Sequence, residues 1–529
     1  MRNSFSTIDW IVLLVYFSGT LGIGFYFYRK SRSLEGFTVA GRALPGWVCG
    51  LSIFATYLSS ISFLALPGKS YASNWNPFVF SLSLPIAAWI AVRFFLPYYR
   101  GSGQVSAYAH LEQRFGTWAR MYASFFYILT QLARIGVVLY LMALPMSILL
   151  GCDIRIIILI TGISVTVYSF VGGIVAVIWT DAFQAIILMS GAVLCSLLTL
   201  FNMPDGPQQL FQIAAENQKF SLGSFNASLT ESTFWVVLVY GIIINLQNFG
   251  IDQSYIQRYI ASKSDKEARK SVWLGGLLYL PVSAVFFFIG TGLFAFYNTH
   301  PDYLQDVRTH LAEHQLIQEG VDIEQEESAY LVQQRAASLT DKDLGDRVFP
   351  QFIGQMLPTG VKGLLVAAIF AAAMSTVSTS LNSSATLLAT DWYQRYIRPD
   401  ASEKQIMTTL YAATILWGIL GTALSLLLIN VTSALDAWWI LSGILGGGML
   451  GLFLLGMISR RADNPIAATA VILGLLVITW MTMSPRIKSW PDNLQSHFHS
   501  FLIPVFGTMT ILITGLLLQS ILKSKQKAH

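Results

Sequence analysis

The residues of this chain that could do chemistry are few, and they sit in apolar surroundings. Asp181 follows Trp179-Thr180 at the start of an apolar run. An ionised carboxylate at membrane depth is costly unless it is paired, hydrated or coordinating an ion. The plainer alternative is an interfacial aspartate capping a helix N-terminus. Further along, Ser375, Ser378 and Thr379 recur at i, i+3 and i+4, which puts their hydroxyls on one helix face. Hydroxyls and freed backbone carbonyls are the oxygens that a hard cation such as sodium takes up. Small hydroxylated side chains also glue membrane helices together, so packing competes with ion binding as their role. Arg134 lies inside the apolar stretch 120–150. Its guanidinium could fork onto the carboxylate of an anionic substrate, or onto a structural partner such as an acidic group or a helix C-terminus.

Other signals lead away from catalysis. His310-Leu311-Ala312-Glu313-His314 matches an H-x-x-E-H zinc-peptidase pattern, but it lies in an acidic loop with no obvious scaffold. Gly443, Gly447 and Gly451 form a small-residue ridge suited to close helix packing. Cys49, Cys152 and Cys195 are far apart and in or beside apolar runs. Their spacing gives neither a metal site nor a disulfide framework, and they are expected as small buried hydrophobes.

The elements that would position these groups are membrane spans. The chain is 54% hydrophobic and 12% charged, about half the charge of a soluble domain, and its mean hydropathy is +0.57. So much apolar surface needs lipid as its solvent. The net charge of +5 is carried in short loops, a membrane-orientation pattern rather than a nucleic-acid-binding face. Apolar segments long enough to cross a bilayer fall near 8–28, 46–70, 77–98, 120–150, 155–172, 178–201, 233–257, 272–296, 361–391, 405–430, 435–458, 464–483 and 499–522, thirteen in all. The first is followed by Arg29-Lys30-Ser31-Arg32 with no signal-peptide cleavage site, so it is expected to be retained. Basic clusters such as Arg29/Lys30/Arg32/Arg42 and Arg258/Lys263/Lys266/Arg269/Lys270 fall on one side. The opposite loops are sparse, with Arg155, Lys219, Arg486 and Lys488, the long acidic 297–360 segment being the exception. The expected topology is N-terminus outside and C-terminus cytoplasmic. The acidic 297–360 segment is expected as a partly helical external loop or cap.

Two spans carry polar interruptions: Thr56-Tyr57-Leu58-Ser59-Ser60-Ile61-Ser62 within 46–70, and Asn245-Leu246-Gln247-Asn248-Phe249-Gly250 within 233–257. They are the second and seventh spans, so each opens a set of five once the first is set aside. Paired interruptions of this kind mark an inverted-repeat transporter, because non-helical backbone at membrane depth is tolerated only where it lines a cavity. The expected organisation is a single polytopic membrane domain over 1–529. The first five-helix repeat lies within 46–258 and the second within 233–458.

These residues resemble a known family. The stretch Ser33-Leu34-Glu35-Gly36-Phe37-Thr38-Val39-Ala40-Gly41-Arg42 is similar to the opening signature of the sodium:solute symporters. So are Gly172-Gly173-Ile174 with Trp179-Thr180-Asp181 and Gln184, Asp252-Gln253 with Gln257-Arg258-Tyr259, and Ala371 to Asn382. The likeness covers nearly the whole chain. It implies an all-α membrane protein with the LeuT-type inverted five-helix repeat and extra flanking helices, in keeping with about 13 transmembrane helices. From Phe54-Ala55-Thr56 through Tyr71 the chain looks like the bacterial sialic acid symporters. By that resemblance one Na+ would take the backbone carbonyls of Ala55, Leu58 and Ala372 and the hydroxyls of Ser375 and Thr376. A second Na+ would use Asp181, Ser378 and Thr379. Arg134 would clamp a substrate carboxylate, with Tyr57, Ser59, Ser62, Ser81 and Asn245 also at substrate-contacting positions. The chain departs from the pattern where Tyr57 replaces a small threonine, Pro77 an aromatic and Ser81 a glutamine. An aromatic face at Tyr57 could stack on a sugar ring.

The implied function is a sodium-coupled secondary active symporter that imports a small organic solute by alternating access. The solute is a sugar acid such as sialic acid, or a monosaccharide. Substrate, sodium ions and the lipid bilayer are the expected partners, with no nucleic acid. The expected setting is a bacterial inner (plasma) membrane, and the expected state a monomer. Two rivals stand beside it. A transporter-like sensor would append a signalling domain after the last span, and a membrane enzyme would have to use the H-x-x-E-H residues.

Overall fold

The computed structural model describes residues 5–322, 326–430, 446, 448–487 and 490–526. Its apolar runs form helices because, in lipid, every backbone N–H and C=O must be bonded within its own segment. The N-terminal part comprises α1 (Thr7–Phe27), α2 (Leu34–Val39), α3 (Gly46–Tyr57), α4 (Ser60–Ala72), α5 (Asn76–Ser102), α6 (Ala109–Phe115), α7 (Thr117–Leu150), α8 (Ile154–Phe201) and α9 (Pro207–Glu216). Then come α10 (Phe234–Ile251), α11 (Gln253–Ala261), α12 (Asp265–Thr299), α13 (Pro301–Gln318), α14 (Glu326–Ser338) and α15 (Asp341–Met356). The chain continues through α16 (Val361–Ile397), α17 (Glu403–Leu427), α18 (Gly448–Ile458), α19 (Asn464–Met483) and α20 (Ile503–Gln526). Among the described residues the β structure is limited to an isolated parallel bridge between Leu44 and Ser262.

Ten of these helices are long and apolar enough to cross a membrane, or eleven with the bent pair α3–α4 counted as one span. The difference from thirteen has two sources. The expected span 435–458 lies largely outside the described residues, as do Gly443 and Gly447, and α18 is its described part. The other source is α8, a 48-residue helix that covers two expected spans. Straight, it would be about 72 Å long, more than twice the ~30 Å hydrocarbon core. At Gly173, where φ is 51° and ψ −155°, it folds back. The Tyr168 hydroxyl donates to the Met374 carbonyl at 3.1 Å, while Gln184 donates to Tyr16, whose hydroxyl meets Met374 Sδ at 3.3 Å. Residues 168 and 184 therefore reach the same point on α16, which an unbroken helix forbids. A Cβ at position 173 would stand 2.7 Å from the Phe37 ring, so glycine meets both the φ and the space requirement.

Helix α16 is the axis of the fold: 94% of its most apolar window is buried, with α8, α7, α1 and α17 packed on it. Its N-terminus is capped from afar. Asp9 of α1, itself buried, accepts from the backbone N–H groups of Gly360 and Gly363, both at 2.8 Å. At its other end Asp391, fully buried, accepts from Arg120 at 2.6 Å and from the Ser106 hydroxyl at 2.8 Å.

Both interrupted spans are broken helices. The first breaks where its polar run predicts. Helix α3 ends at Tyr57, Leu58 turns to ψ 99°, and the Ser59 hydroxyl caps α4 by accepting from Ser62 N–H. In the second, Asn245 to Gly250 stay helical and the break falls at Asp252, with ψ 121°. The Asn245 amide finds side-chain partners and leaves the helix intact, whereas the Asp252 carboxylate accepts from Ser254 N–H at 2.8 Å and starts α11.

The acidic segment folds into α13, α14 and α15. Arg335 forks onto Glu319 at 2.8 and 2.9 Å and closes the α13–α14 hairpin, and α15 packs along α4. His310 and Glu313 lie on α13 with their side chains 3.4 Å apart, and among the described residues no three metal-ligating side chains converge. Cys49 and Cys195 are buried and Cys152 is half-buried, all three as free thiols. The loop after α9 is held by Lys219, whose ammonium donates to the Tyr71 carbonyl at 2.6 Å and lies 3.6 Å from the centre of the Phe294 ring. Burial there pushes the lysine down to about 8, against a partial upward pull from Asp341.

Candidate functional site

A cavity of about 670 Å³ opens beside the two helix breaks and runs out between α7, α10, α19 and α20. That volume suits a small organic ligand. Tyr57, Ser59, Ser62, Arg134, Gln131 and Asp252 are among its lining residues. Arg134 projects from α7, and its Nη2 donates at 3.2 Å to the Thr56 carbonyl, at the edge of the first break. Tyr57 stands edge-on to Tyr279, with ring centres 4.4 Å apart, and its hydroxyl donates to the Asn245 amide oxygen.

Two expected substrate contacts lie behind this wall. Asn245 is fully buried, and its amide nitrogen donates to the Ser83 hydroxyl at 2.8 Å and to the Phe80 carbonyl at 3.4 Å. It therefore holds Tyr57 rather than lining the cavity. Ser81 is also buried, its hydroxyl 2.9 Å from that of Ser283, and it does not line the cavity either. Tyr57, Ser59, Ser62 and Arg134 do line it.

Beside the first break, Ala55, Ala372, Ser375 and Thr376, four of the five residues of the first expected sodium site, come together. The Ser375 hydroxyl donates to the Ala55 carbonyl at 3.0 Å and to the Ala372 carbonyl at 3.2 Å, and the Thr376 hydroxyl donates to Ala372 at 3.1 Å. Leu58, turned out of the helix, is buried next to them in the chain. The donor set is hydroxyls and carbonyls gathered in a dry place. A monovalent hard cation fits it, since it would take over the oxygens that the hydroxyl protons now engage.

Around the second expected site the picture is different. Asp181 is fully buried and receives three donors: Ser52 Oγ at 2.6 Å, Arg258 Nη2 at 2.8 Å and Ser378 Oγ at 3.4 Å. Arg258 Nη2 also donates to Thr379 Oγ1 at 2.6 Å, which in turn lies 3.1 Å from Thr56 Oγ1. The same guanidinium donates to Ser52 at 2.6 Å and to the Ser254 carbonyl at 2.5 Å. Asp181, Ser378 and Thr379 thus lie together, around a cation from the chain itself. A buried pair of this kind loses much of its attraction to desolvation, and removing one member is far costlier than removing both.

Sequence reasoning counted Arg258 among loop cations. It is 1% exposed. The available signal was its setting, Tyr255-Ile256-Gln257-Arg258-Tyr259-Ile260, in which apolar neighbours crowd both sides. Asp252 also entered only through its motif. Its Oδ1 accepts from Tyr127 at 3.0 Å, tying α7 to the second break.

Comparison with known proteins agrees with this geometry. A profile of the sodium:solute symporter family matches residues 37–474. The sodium/sialic acid symporter of Aliivibrio fischeri is 31% identical over 99% of this chain and 95% of its own length. That of Proteus mirabilis is 31% identical over 97% and 95%. The mouse sodium-coupled monocarboxylate transporter 2 is 27% identical over 93% of this chain and 74% of its own. A solved substrate-bound, outward-open sodium-coupled sialic acid symporter superposes with a TM-score of 0.85 at 28% identity, covering 98% of both chains. The chain belongs to the sodium:solute symporter family, and its fold is the LeuT type that the family resemblance implies.

Proposed function

We propose that this chain is a sodium-coupled symporter that imports a small sugar acid by alternating access. The observation that carries the reading is the adjacency of three residues at the first break. The Ala55 carbonyl faces the Ser375 hydroxyl, the Thr56 carbonyl faces Arg134, and Tyr57 is held by Asn245. Sodium at Ala55, Leu58, Ala372, Ser375 and Thr376 would set the backbone against which Arg134 presents its remaining donors to a substrate carboxylate. Ion binding and substrate binding are then coupled through one turn of chain. Tyr57 supplies an aromatic face for the sugar ring, and Ser59 and Ser62 supply hydroxyls. The sialic acid symporters among the relatives support the sugar-acid class. The second ion would occupy Asp181, Ser378 and Thr379 once Arg258 yields its contacts.

Each charge carried down the membrane potential supplies ~2.3 kcal/mol per 100 mV. Two sodium ions with a neutral substrate give ~4.6 kcal/mol, on the order of a thousandfold accumulation, and a monoanion gives about half that electrical drive. The basic-loop asymmetry supports an N-terminus outside and a cytoplasmic C-terminus, the bacterial relatives support a bacterial inner membrane, and a single copy is our proposed working unit. The test is uptake of labelled sialic acid and a panel of sugars into proteoliposomes, with and without an inward sodium gradient. Sodium-driven uptake that disappears in Ser375→Ala supports the assignment, and a lower sodium Hill slope in Asp181→Ala supports the second ion. Uptake that is indifferent to sodium overturns it.

A further inference from the structure

On α16, positions 375, 378, 379, 382 and 386 recur at i, i+3, i+4, i+7 and i+11 and so form one oxygen-bearing face. Four of the five have contacts that show what this face meets. Ser375 touches Ala55, Ser378 touches Asp181, Thr379 touches Thr56 and Arg258, and Thr386 accepts from Gln257 at 2.9 Å. Asn382 lies between Thr379 and Thr386 on the same face, and these two residues meet Arg258 and Gln257 of α11. It is 2% exposed, and among the described residues neither its amide oxygen nor its amide nitrogen has a hydrogen-bond partner. Leaving both ends of an amide unpaired in a packed interior is costly, and such groups are rare. The other buried amides nearby each have at least one partner: Gln257 with Thr386 and the Thr38 carbonyl, Gln131 with Ser380, and Gln184 with Tyr16 through its nitrogen. Asn382 differs from them in having both of its polar atoms unpaired.

We propose that Asn382 is a transient station for hydrated sodium between the Asp181–Ser378–Thr379 site and the cytoplasmic end of α16. The inference rests on the symport reading and its orientation. An ion leaving Thr379 has its next side-chain oxygen on this face at Asn382, one turn further along. The amide can offer its carbonyl oxygen to the ion and its NH2 to the ion's water, so it lowers the barrier to release without binding tightly. Arg258, bonded to both Asp181 and Thr379, stands at the head of this step. Its guanidinium would close the route behind a departing ion by retaking the two oxygens that the ion vacates.

The experiment compares the parent with Asn382→Leu, which keeps the branching but replaces both polar atoms by methyl groups, and with Asn382→Ala, which leaves room for water. Two rates are read in proteoliposomes: net sodium-driven uptake, which requires sodium release inside, and substrate exchange with saturating sodium on both sides, which does not. Asn382→Leu is expected to slow net uptake by about tenfold, the kinetic worth of one lost polar contact in a barrier. Exchange and the external sodium dependence should stay within about twofold, and Asn382→Ala should fall between Asn382→Leu and the parent. Equal loss of net uptake and exchange in both variants, or no loss of either, overturns the station. Parent uptake that ignores sodium overturns the symport reading instead, so the two failures are distinct.

Discussion

The Asp181–Arg258 pair lends itself to a double-mutant cycle. Arg258→Met removes donors to Ser52, Ser254, Asp181 and Thr379 at one stroke. It leaves a fully buried carboxylate with only the Ser52 and Ser378 hydroxyls. Breaking a buried pair from one side costs about 3–5 kcal/mol, and Asp181→Asn should cost a similar amount because it strands the guanidinium. Removing both charges together is often close to neutral, so the double variant should lie within about 2 kcal/mol of the parent. The coupling energy is then at least about 4 kcal/mol, far outside the ~0.5 kcal/mol within which independent sites add. The assay is denaturant-induced unfolding of the purified protein in detergent, run in sodium and in potassium. Sodium gives a second limb. With Arg258 absent, Asp181 and Thr379 are open to a cation, so sodium at about a hundred times its dissociation constant should return ~2.7 kcal/mol to Arg258→Met. Potassium should return less. Additive single costs would refute the pairing, and equal sodium dependence in parent and Arg258→Met would refute the idea that the guanidinium and the ion share one place.

Two more predictions concern the cavity and its surroundings. Arg134→Gln should raise the half-saturating concentration of a carboxylate substrate by at least about tenfold, the worth of one charge-assisted hydrogen bond, while the substrate's uncharged amide analogue is affected little. Equal effects on both would remove Arg134 from carboxylate recognition. Lys219 gives a pH signature. Its folded value of about 8 lies below the ordinary 10.5, so between those pH values the folded chain binds fewer protons than the unfolded one. Stability should therefore rise with pH across that window. Lys219→Met should flatten the rise in melting temperature between pH 8 and pH 10, and an unchanged slope would count against the buried ammonium.

What the sequence made legible follows from the physics of lipid. Long apolar runs had to be helices, and polar residues in mid-span had to serve a cavity or an ion. That logic located the Leu58 break and the Ser375, Ser378 and Thr379 face. It misplaced the second break because an Asn245–Gly250 run looks the same whether its amides free the backbone or find side chains elsewhere. Tyr57 and Ser83 supply those side chains, and they arrive from other helices. The same blindness hid Arg258. A basic residue near a span end reads as a loop charge until tertiary packing brings Asp181 and Thr379 around it. Gly173 shows the converse: two spans separated by only a few residues were visible as two runs, although the backbone between them stays helical up to a single glycine.

The cap that Asp9 places on α16 has a consequence for the birth of the protein. Its second donor, the Gly363 N–H, is 354 residues further along the chain. At synthesis rates of about 5–20 residues per second, that donor is made roughly 18–70 s after the carboxylate. Throughout this interval the Asp9 carboxylate has only its local partner Ser6, whose N–H and hydroxyl donate to Oδ2, and Oδ1 waits for the distant donors. Helix α1 can pack on α8 early, but its tie to the N-terminus of α16 is made late, in the same event that seats the central helix.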